Sequence, residues 1–126
     1  MDMKTKRTRV FAYGTLKDGY GNHAVLQRHN AKFVDYAKTD EQWALIDLGP
    51  FPAMIQDQRR VYGEVWEVDE TALADLDLLE GVPLLYRRYK IPMNYLNCDD
   101  EDSAWTYVLA RRGGPYMPEE KMGEWS

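Results

Sequence analysis

The apolar positions fall into short runs with strand-like composition, set apart by polar and glycine-rich turns. Val, Ile, Tyr, Trp and Phe concentrate in six segments, and their density predicts strands over 10–13, 32–37, 42–48, 60–68, 86–93 and 103–111. In Val61-Tyr62-Gly63-Glu64-Val65-Trp66-Glu67-Val68 both alternating faces mix apolar and polar side chains, the pattern of a small, strongly curved sheet. Two stretches read instead as helices. One runs over 22–29 after a glycine-rich turn, with Asn22 placed to cap it. The other runs over 70–79, with Asp69 as its N-cap and Gly81 and Pro83 just past its end. Six strands and two helices predict an α+β fold, a small mixed β-barrel of about six strands with flanking helices.

The 126 residues suit one domain, 1–126, and neither an internal repeat nor a Pro/Ser-rich linker divides them. With 44% apolar and 29% charged residues the composition is that of an ordinary globular protein, and no run approaches the roughly 18 apolar residues of a membrane span. The formal charge of −5 repels phosphate backbones, so neither nucleic acid nor membrane is an expected partner. Lys4-Thr5-Lys6-Arg7-Thr8-Arg9 is the main basic cluster, and it reads as a solvated arm before the first strand. The apolar stretch that follows is too short for a signal peptide, so the expected location is cytoplasmic.

Cys98 is the single cysteine, and with only His23 and His29 beside it the chain offers no Cys/His zinc pattern. Asp99-Asp100-Glu101-Asp102 reads as a polar connection, because it lacks the glycine turn and distal glutamate of a calcium loop. No metal site is expected there.

Two features bear on chemistry. At about 100° per residue, Leu73, Leu76 and Leu79 form one stripe of the second helix, and Glu80 falls within it at the last turn. Burial and the negative end of the helix dipole both disfavour an anion there, which raises the carboxyl pKa toward the range a general acid/base needs. Glu80 turning outward, or pairing with Arg87 or Arg88, is the alternative. Asp77 flanks the stripe and is expected to be solvated. The second feature is the break of the first strand at Gly14, in Tyr13-Gly14-Thr15-Leu16-Lys17-Asp18-Gly19-Tyr20-Gly21-Asn22. A loop of this kind before a helix presents several backbone N–H groups to one point and suits a small carboxylate; a plain strand-turn-helix is the alternative. It has neither the Walker nor the Gly-x-Gly-x-x-Gly spacing.

Tyr13-Gly14-Thr15-Leu16-Lys17 with Gly19 and Asn22 resembles the N-terminal signature of the gamma-glutamylcyclotransferase-like (AIG2-like) family, which includes the gamma-glutamylamine cyclotransferases. Leu48-Gly49-Pro50-Phe51-Pro52-Ala53 is similar to that family's Pro-Ala/Gly loop, and Val61-Tyr62-Gly63-Glu64-Val65-Trp66 to its central strand. Leu76-Asp77-Leu78-Leu79-Glu80-Gly81 with Tyr86-Arg87-Arg88, then Ala104-Trp105-Thr106-Tyr107-Val108, then Gly123-Glu124-Trp125, continue the likeness in order along nearly the whole chain.

The resemblance implies a small mixed barrel with a pocket between the 13–16 loop and Glu80. It also implies a cofactor-independent cyclisation of gamma-glutamyl substrates that releases 5-oxoproline, with Glu80 as base and then acid. Tyr13, Gly14, Thr15 and Leu16 would bind the substrate, and Tyr86 and Tyr107 are further candidates to line the pocket. The segment from Glu80 to Tyr86 is short, which likens the chain to compact amine-directed or bacterial members and leaves the leaving group open. Two other readings stay open: a non-catalytic small-molecule binding module using the same pocket, and an interaction domain working through the 99–102 loop.

Overall fold

A computed structural model describes residues 7–110 and 121–125. Lys4, Thr5 and Lys6 of the basic cluster, and Arg111 at the end of the last expected strand, lie outside the described residues. In chain order the elements are β1 (Arg7–Ala12), α1 (His23–Arg28), β2 (Lys32–Lys38), β3 (Trp43–Asp47), β4 (Pro52–Gln56) and β5 (Tyr62–Asp69). They continue with α2 (Glu70–Leu79), β6 (Tyr86–Ile91), β7 (Asn94–Tyr95), β8 (Ala104–Leu109) and β9 (Lys121–Met122).

The strands form one mixed sheet in the order β7-β2-β5-β1-β8-β4-β3-β9, with β6 also paired to β8. Seven strands are of ordinary length and two are two-residue pairings at the sheet's ends. The β1–β8 and β4–β8 pairings are parallel and the others antiparallel. The sheet curls into a half-barrel. Beyond β9, the Gly123 carbonyl accepts from the N–H of Tyr62 at the start of β5 at 2.7 Å, which draws one end of the sheet back over its middle. The resulting α+β architecture is the one expected.

Both faces of the sheet are apolar because alternate residues on the same strands feed two separate cores. Val10 and Ala12 of β1, Ala44 and Ile46 of β3, and Ala53 and Ile55 of β4 pack with Leu26, Ala72 and Leu76 of the helices. Phe11, Leu45 and Met54, the residues between them, pack with Val61, Val65 and Met93 on the other side. The mixed faces read from the sequence are the signature of this two-sided burial.

Four local expectations are corrected. β4 was not foreseen as a strand, since Gly49-Pro50-Phe51-Pro52 reads as a loop. Residues 48–51 do form the turn, closed by Leu48 N–H donating to the Phe51 carbonyl at 3.0 Å with Gly49 at φ +101°. Pro52 then takes the first position of a strand, where its missing N–H is tolerated. Arg9 is no solvated arm: it lies in β1 and its guanidinium pairs with Asp100 at 2.9 Å and Asp102 at 3.7 Å, tying the acidic loop down. Asn22 precedes α1 without capping it through its side chain. On α2 the buried residues are Ala72 and Leu76, while Leu79 is largely exposed, so the core-facing stripe sits slightly to one side of the projected one. Asp69 does cap α2, accepting from Ala72 N–H at 2.8 Å.

Candidate active site

The loop after β1 is held by side chains from three directions. Glu64 Oε1 on β5 accepts from the Asp18 N–H at 2.9 Å and from Trp66 Nε1 at 3.0 Å. The buried His23 ring lies with Nδ1 2.9 Å from the Leu16 carbonyl and packs against Trp66. Asn22 donates through Nδ2 to Thr15 Oγ1 at 2.8 Å, and its N–H donates to the Thr15 carbonyl at 3.0 Å. Within this fixed loop the N–H groups of Gly14, Thr15 and Leu16 donate to no acceptor among the described residues. Gly14 is required by contact: a Cβ there would lie 2.7 Å from Pro52 Cγ, at the start of β4.

Opposite the loop, α2 ends at Glu80, whose backbone N–H still donates to the Leu76 carbonyl at 2.9 Å. Gly81 follows at φ +65°, turning the chain away toward β6. Glu80 therefore keeps helical geometry at its own position and does not fray outward. Its carboxyl joins Tyr13, Gly14, Thr15, Leu16, Asn22, Tyr86 and Tyr107 around a cavity of about 380 Å³, closed further by Phe11, Pro50, Phe51, Pro52, Leu79 and Leu85. Each expected substrate-binding residue thus lines the same hollow as Glu80.

Burial pushes the Glu80 carboxyl up to about 7. Loss of hydration is the cause, since neither Arg87 nor Arg88 pairs with it among the described residues. Arg88 is engaged elsewhere, with Nε 3.0 Å from Asp77 Oδ1 and its guanidinium 4.4 Å from the centre of the Trp105 ring. Asp77 was expected in solvent. It is instead partly covered and also accepts from the Tyr107 hydroxyl at 2.9 Å.

The three tyrosines at the cavity all have their hydroxyl protons committed. Tyr13 donates to the Tyr107 carbonyl at 2.6 Å, Tyr86 to the Pro52 carbonyl at 3.2 Å and Tyr107 to Asp77. Burial raises the pKa of all three, and the neighbouring Glu80 anion raises it further. They are neutral walls of the site. Among the described residues, Glu80 is the one carboxyl-bearing residue that lines this cavity.

Residues 10–126 match the family model described as gamma-glutamyl cyclotransferase, AIG2-like. The chain belongs to the AIG2-like gamma-glutamyl cyclotransferase family. Membership places it among gamma-glutamylcyclotransferase-type enzymes. A relative from Vibrio cholerae is 40% identical over 99 residues, 79% of each chain. The gamma-glutamylaminecyclotransferase A of Danio rerio is 34% identical over 107 residues, which are 78% of this chain and 66% of that one. The crystal structure of a mouse AIG2-like protein superposes with a TM-score of 0.83 at 28% identity, covering 95% of this chain and 88% of the mouse chain.

Two features of the candidate site were not read from the sequence. His23 and Glu64 fasten the loop; His23 belongs to no quoted motif, and Glu64 was quoted only as part of the central strand, without this role. A histidine seven residues after Leu16 and a glutamate in the middle of a strand become informative only once the sheet brings Glu64 beneath Asp18.

Proposed function

We propose that the protein converts gamma-glutamyl amines, or related small gamma-glutamyl amides, to 5-oxoproline and the free amine by intramolecular aminolysis, with Glu80 as base and then acid. The observation that carries this reading is one partly buried carboxyl, unpaired among the described residues, that shares a small cavity with a loop of unused main-chain donors.

The substrate brings nucleophile and electrophile in one molecule, so the first task is to hold the ring-closing conformer. The N–H groups of Gly14, Thr15 and Leu16 are free to grip its α-carboxylate. The Thr15 hydroxyl already accepts from Asn22 and keeps its own proton for donation. The Glu80 carboxylate takes a proton from the α-ammonium, and the resulting amine attacks the γ-carbonyl carbon. A C–N bond forms and a tetrahedral oxyanion results. When it collapses, the bond to the leaving nitrogen breaks as Glu80 returns its proton there, and the ring nitrogen gives up its second proton to the departing amine, which leaves as an ammonium. A carboxyl titrating near neutrality performs both transfers without a large penalty in either. Donors to the oxyanion would each contribute roughly 3 kcal/mol, and the tyrosine hydroxyls, already engaged, are not among them.

The test is incubation of the purified protein with a panel of gamma-glutamyl amides, with 5-oxoproline detected by mass spectrometry. Release by the wild type and its loss in Glu80→Gln, with the fold retained, is the expected result. Wild-type binding without turnover across the panel would turn the reading into that of a binding module.

A further inference from the structure

The loop after β1 has two halves. Tyr13, Gly14, Thr15 and Leu16 line the cavity with Glu80, whereas the next half, Lys17 to Tyr20, does not. That half is met by the chain beyond β9. Lys17 Nζ donates to the Trp125 carbonyl at 2.5 Å, and the Trp125 ring packs against Tyr20 with centres 5.3 Å apart and planes at 37°. The Lys17 ammonium also lies 5.3 Å from the centre of the Tyr20 ring, which makes one cluster of the three side chains.

Residues 123–125 are themselves fixed from elsewhere. The Gly123 carbonyl accepts from the Tyr62 N–H at 2.7 Å, and a Cβ on Gly123 would stand 2.4 Å from the Arg60 carbonyl oxygen, so the close approach needs glycine. Trp125 is half-buried and packs on the core that contains Phe11 and Tyr13. From Lys17 the hold reaches the site through the backbone. The Lys17 N–H donates to the Gly14 carbonyl at 3.0 Å and closes the four-residue turn 14–17, whose two inner peptides carry the N–H groups of Thr15 and Leu16. Glu64, His23 and Asn22 fasten Asp18, Leu16 and Thr15. The side chains of Lys17 and Tyr20 are fastened by residues 123–125.

We propose that residues 123–125 form an outer clamp on the substrate loop and that Trp125 and Lys17 are positioning residues for the proposed cyclisation, on which this assignment rests. They reach no substrate; they hold the turn whose N–H groups receive the α-carboxylate. That carboxylate keeps its charge from bound substrate to product, so a looser turn weakens ground state and transition state alike and is felt in KM, not in kcat.

Trp125→Ala removes the ring and Lys17→Met removes the donor while keeping an unbranched chain. With each variant assayed where circular dichroism shows it folded, KM for a gamma-glutamyl amide should rise about 3- to 10-fold and kcat stay within about 2-fold, as for loss of one ordinary hydrogen bond. Trp125→Phe keeps a ring against Tyr20 and should recover most of the wild-type KM. A variant that is merely less folded gives the reverse split, with fewer active molecules and therefore a lower apparent kcat at constant KM. That reverse split, unchanged kinetics, or a Trp125→Phe variant as impaired as Trp125→Ala overturns the clamp and leaves the cyclisation standing. If the wild type binds a gamma-glutamyl amide or 5-oxoproline without turnover, the cyclisation fails and the clamp is judged by calorimetry. A Kd raised about 3- to 10-fold in Trp125→Ala then supports it, and an unchanged Kd overturns it. A wild type that neither binds nor turns over these compounds overturns both.

Discussion

The Tyr107 hydroxyl on β8 donates to Asp77 Oδ1 at 2.9 Å, one turn of α2 before Glu80, and Arg88 of β6 closes on the same oxygen at 3.0 Å. Two carboxylates three residues apart on one helix end are thereby given different tasks. Asp77 is neutralised by a cation and a phenol and joins helix to sheet; Glu80 has no such partners among the described residues and lines the cavity. Removing Asp77 strands both partners in a partly buried place, whereas removing the phenol oxygen leaves the ion pair intact. Asp77→Ala is expected to cost about 2 kcal/mol in urea unfolding and Tyr107→Phe about 1 kcal/mol or less. Equal costs would mean that the ion pair contributes nothing.

The contact between Gly14 and Pro52 sets how closely the loop approaches β4. An added Cβ would stand 2.7 Å from Cγ and 2.9 Å from Cδ of a rigid ring, so the loop or the strand must move. Gly14→Ala should lower stability by about 1–3 kcal/mol, the usual range for overpacking. It should also lower kcat/KM, because the N–H groups of Gly14 and Thr15 move with it. Denaturant titration and the 5-oxoproline assay measure the two effects; full activity in a destabilised variant would remove the loop from the chemistry.

The strands that carry dense β-branched and aromatic residues were legible, as was α2, whose cap, length and glycine stop are all local. Glu80 stood out because a charged residue interrupting an apolar stripe is visible from periodicity alone. What was lost depends on pairing across the sheet. β4 hid behind two prolines because only its position between β3 and β8 shows that Pro52 needs no donor there. Arg9 looked like part of a solvated arm because Asp100 and Asp102, its partners, lie far away in sequence. The stripe on α2 was drawn as if the whole helix were covered, but its last turn meets a cavity and not a wall, so Leu79 is open where a core residue was expected. Asp77 was misplaced for the related reason that its partners come from β6 and β8.

Asn22 ties the loop twice, through its side chain to Thr15 Oγ1 at 2.8 Å and through its N–H to the Thr15 carbonyl at 3.0 Å. Only the first is lost in Asn22→Ala. The free Thr15 hydroxyl then rotates, and a loop less well arranged for an anion should bind substrate more weakly. A rise in KM of about 3- to 10-fold with a smaller change in kcat is expected, equivalent to one ordinary hydrogen bond. A fall in kcat at constant KM would instead assign Thr15 to the transition state.

With Glu80 as the proposed base, its titration should govern the pH dependence of both rate and stability, and in opposite directions. As the proposed base it must be ionised, so kcat/KM should rise with pH and level off above about 7, the value to which burial lifts its carboxyl. Stability runs the other way. In the unfolded chain the group titrates at its ordinary value of 4.5, so between 4.5 and about 7 the native state holds a proton that the unfolded state has released. The native state binds more protons across that window, and the contribution is fully present below 4.5 and lost as pH rises through the native value. The ionised carboxyl at pH 8 costs on the order of 2–3 kcal/mol relative to the protonated one, taking ~1.4 kcal/mol per unit with some relief from solvent at the cavity mouth. Glu80→Gln keeps the shape and removes the charge. Its thermal midpoint should match that of the wild type near pH 4.5 and exceed it at pH 8, while 5-oxoproline release falls by at least ~100-fold. A variant no more stable than wild type at pH 8 would mean that the carboxylate is well solvated, and with that the physical basis for its acid and base roles would be gone.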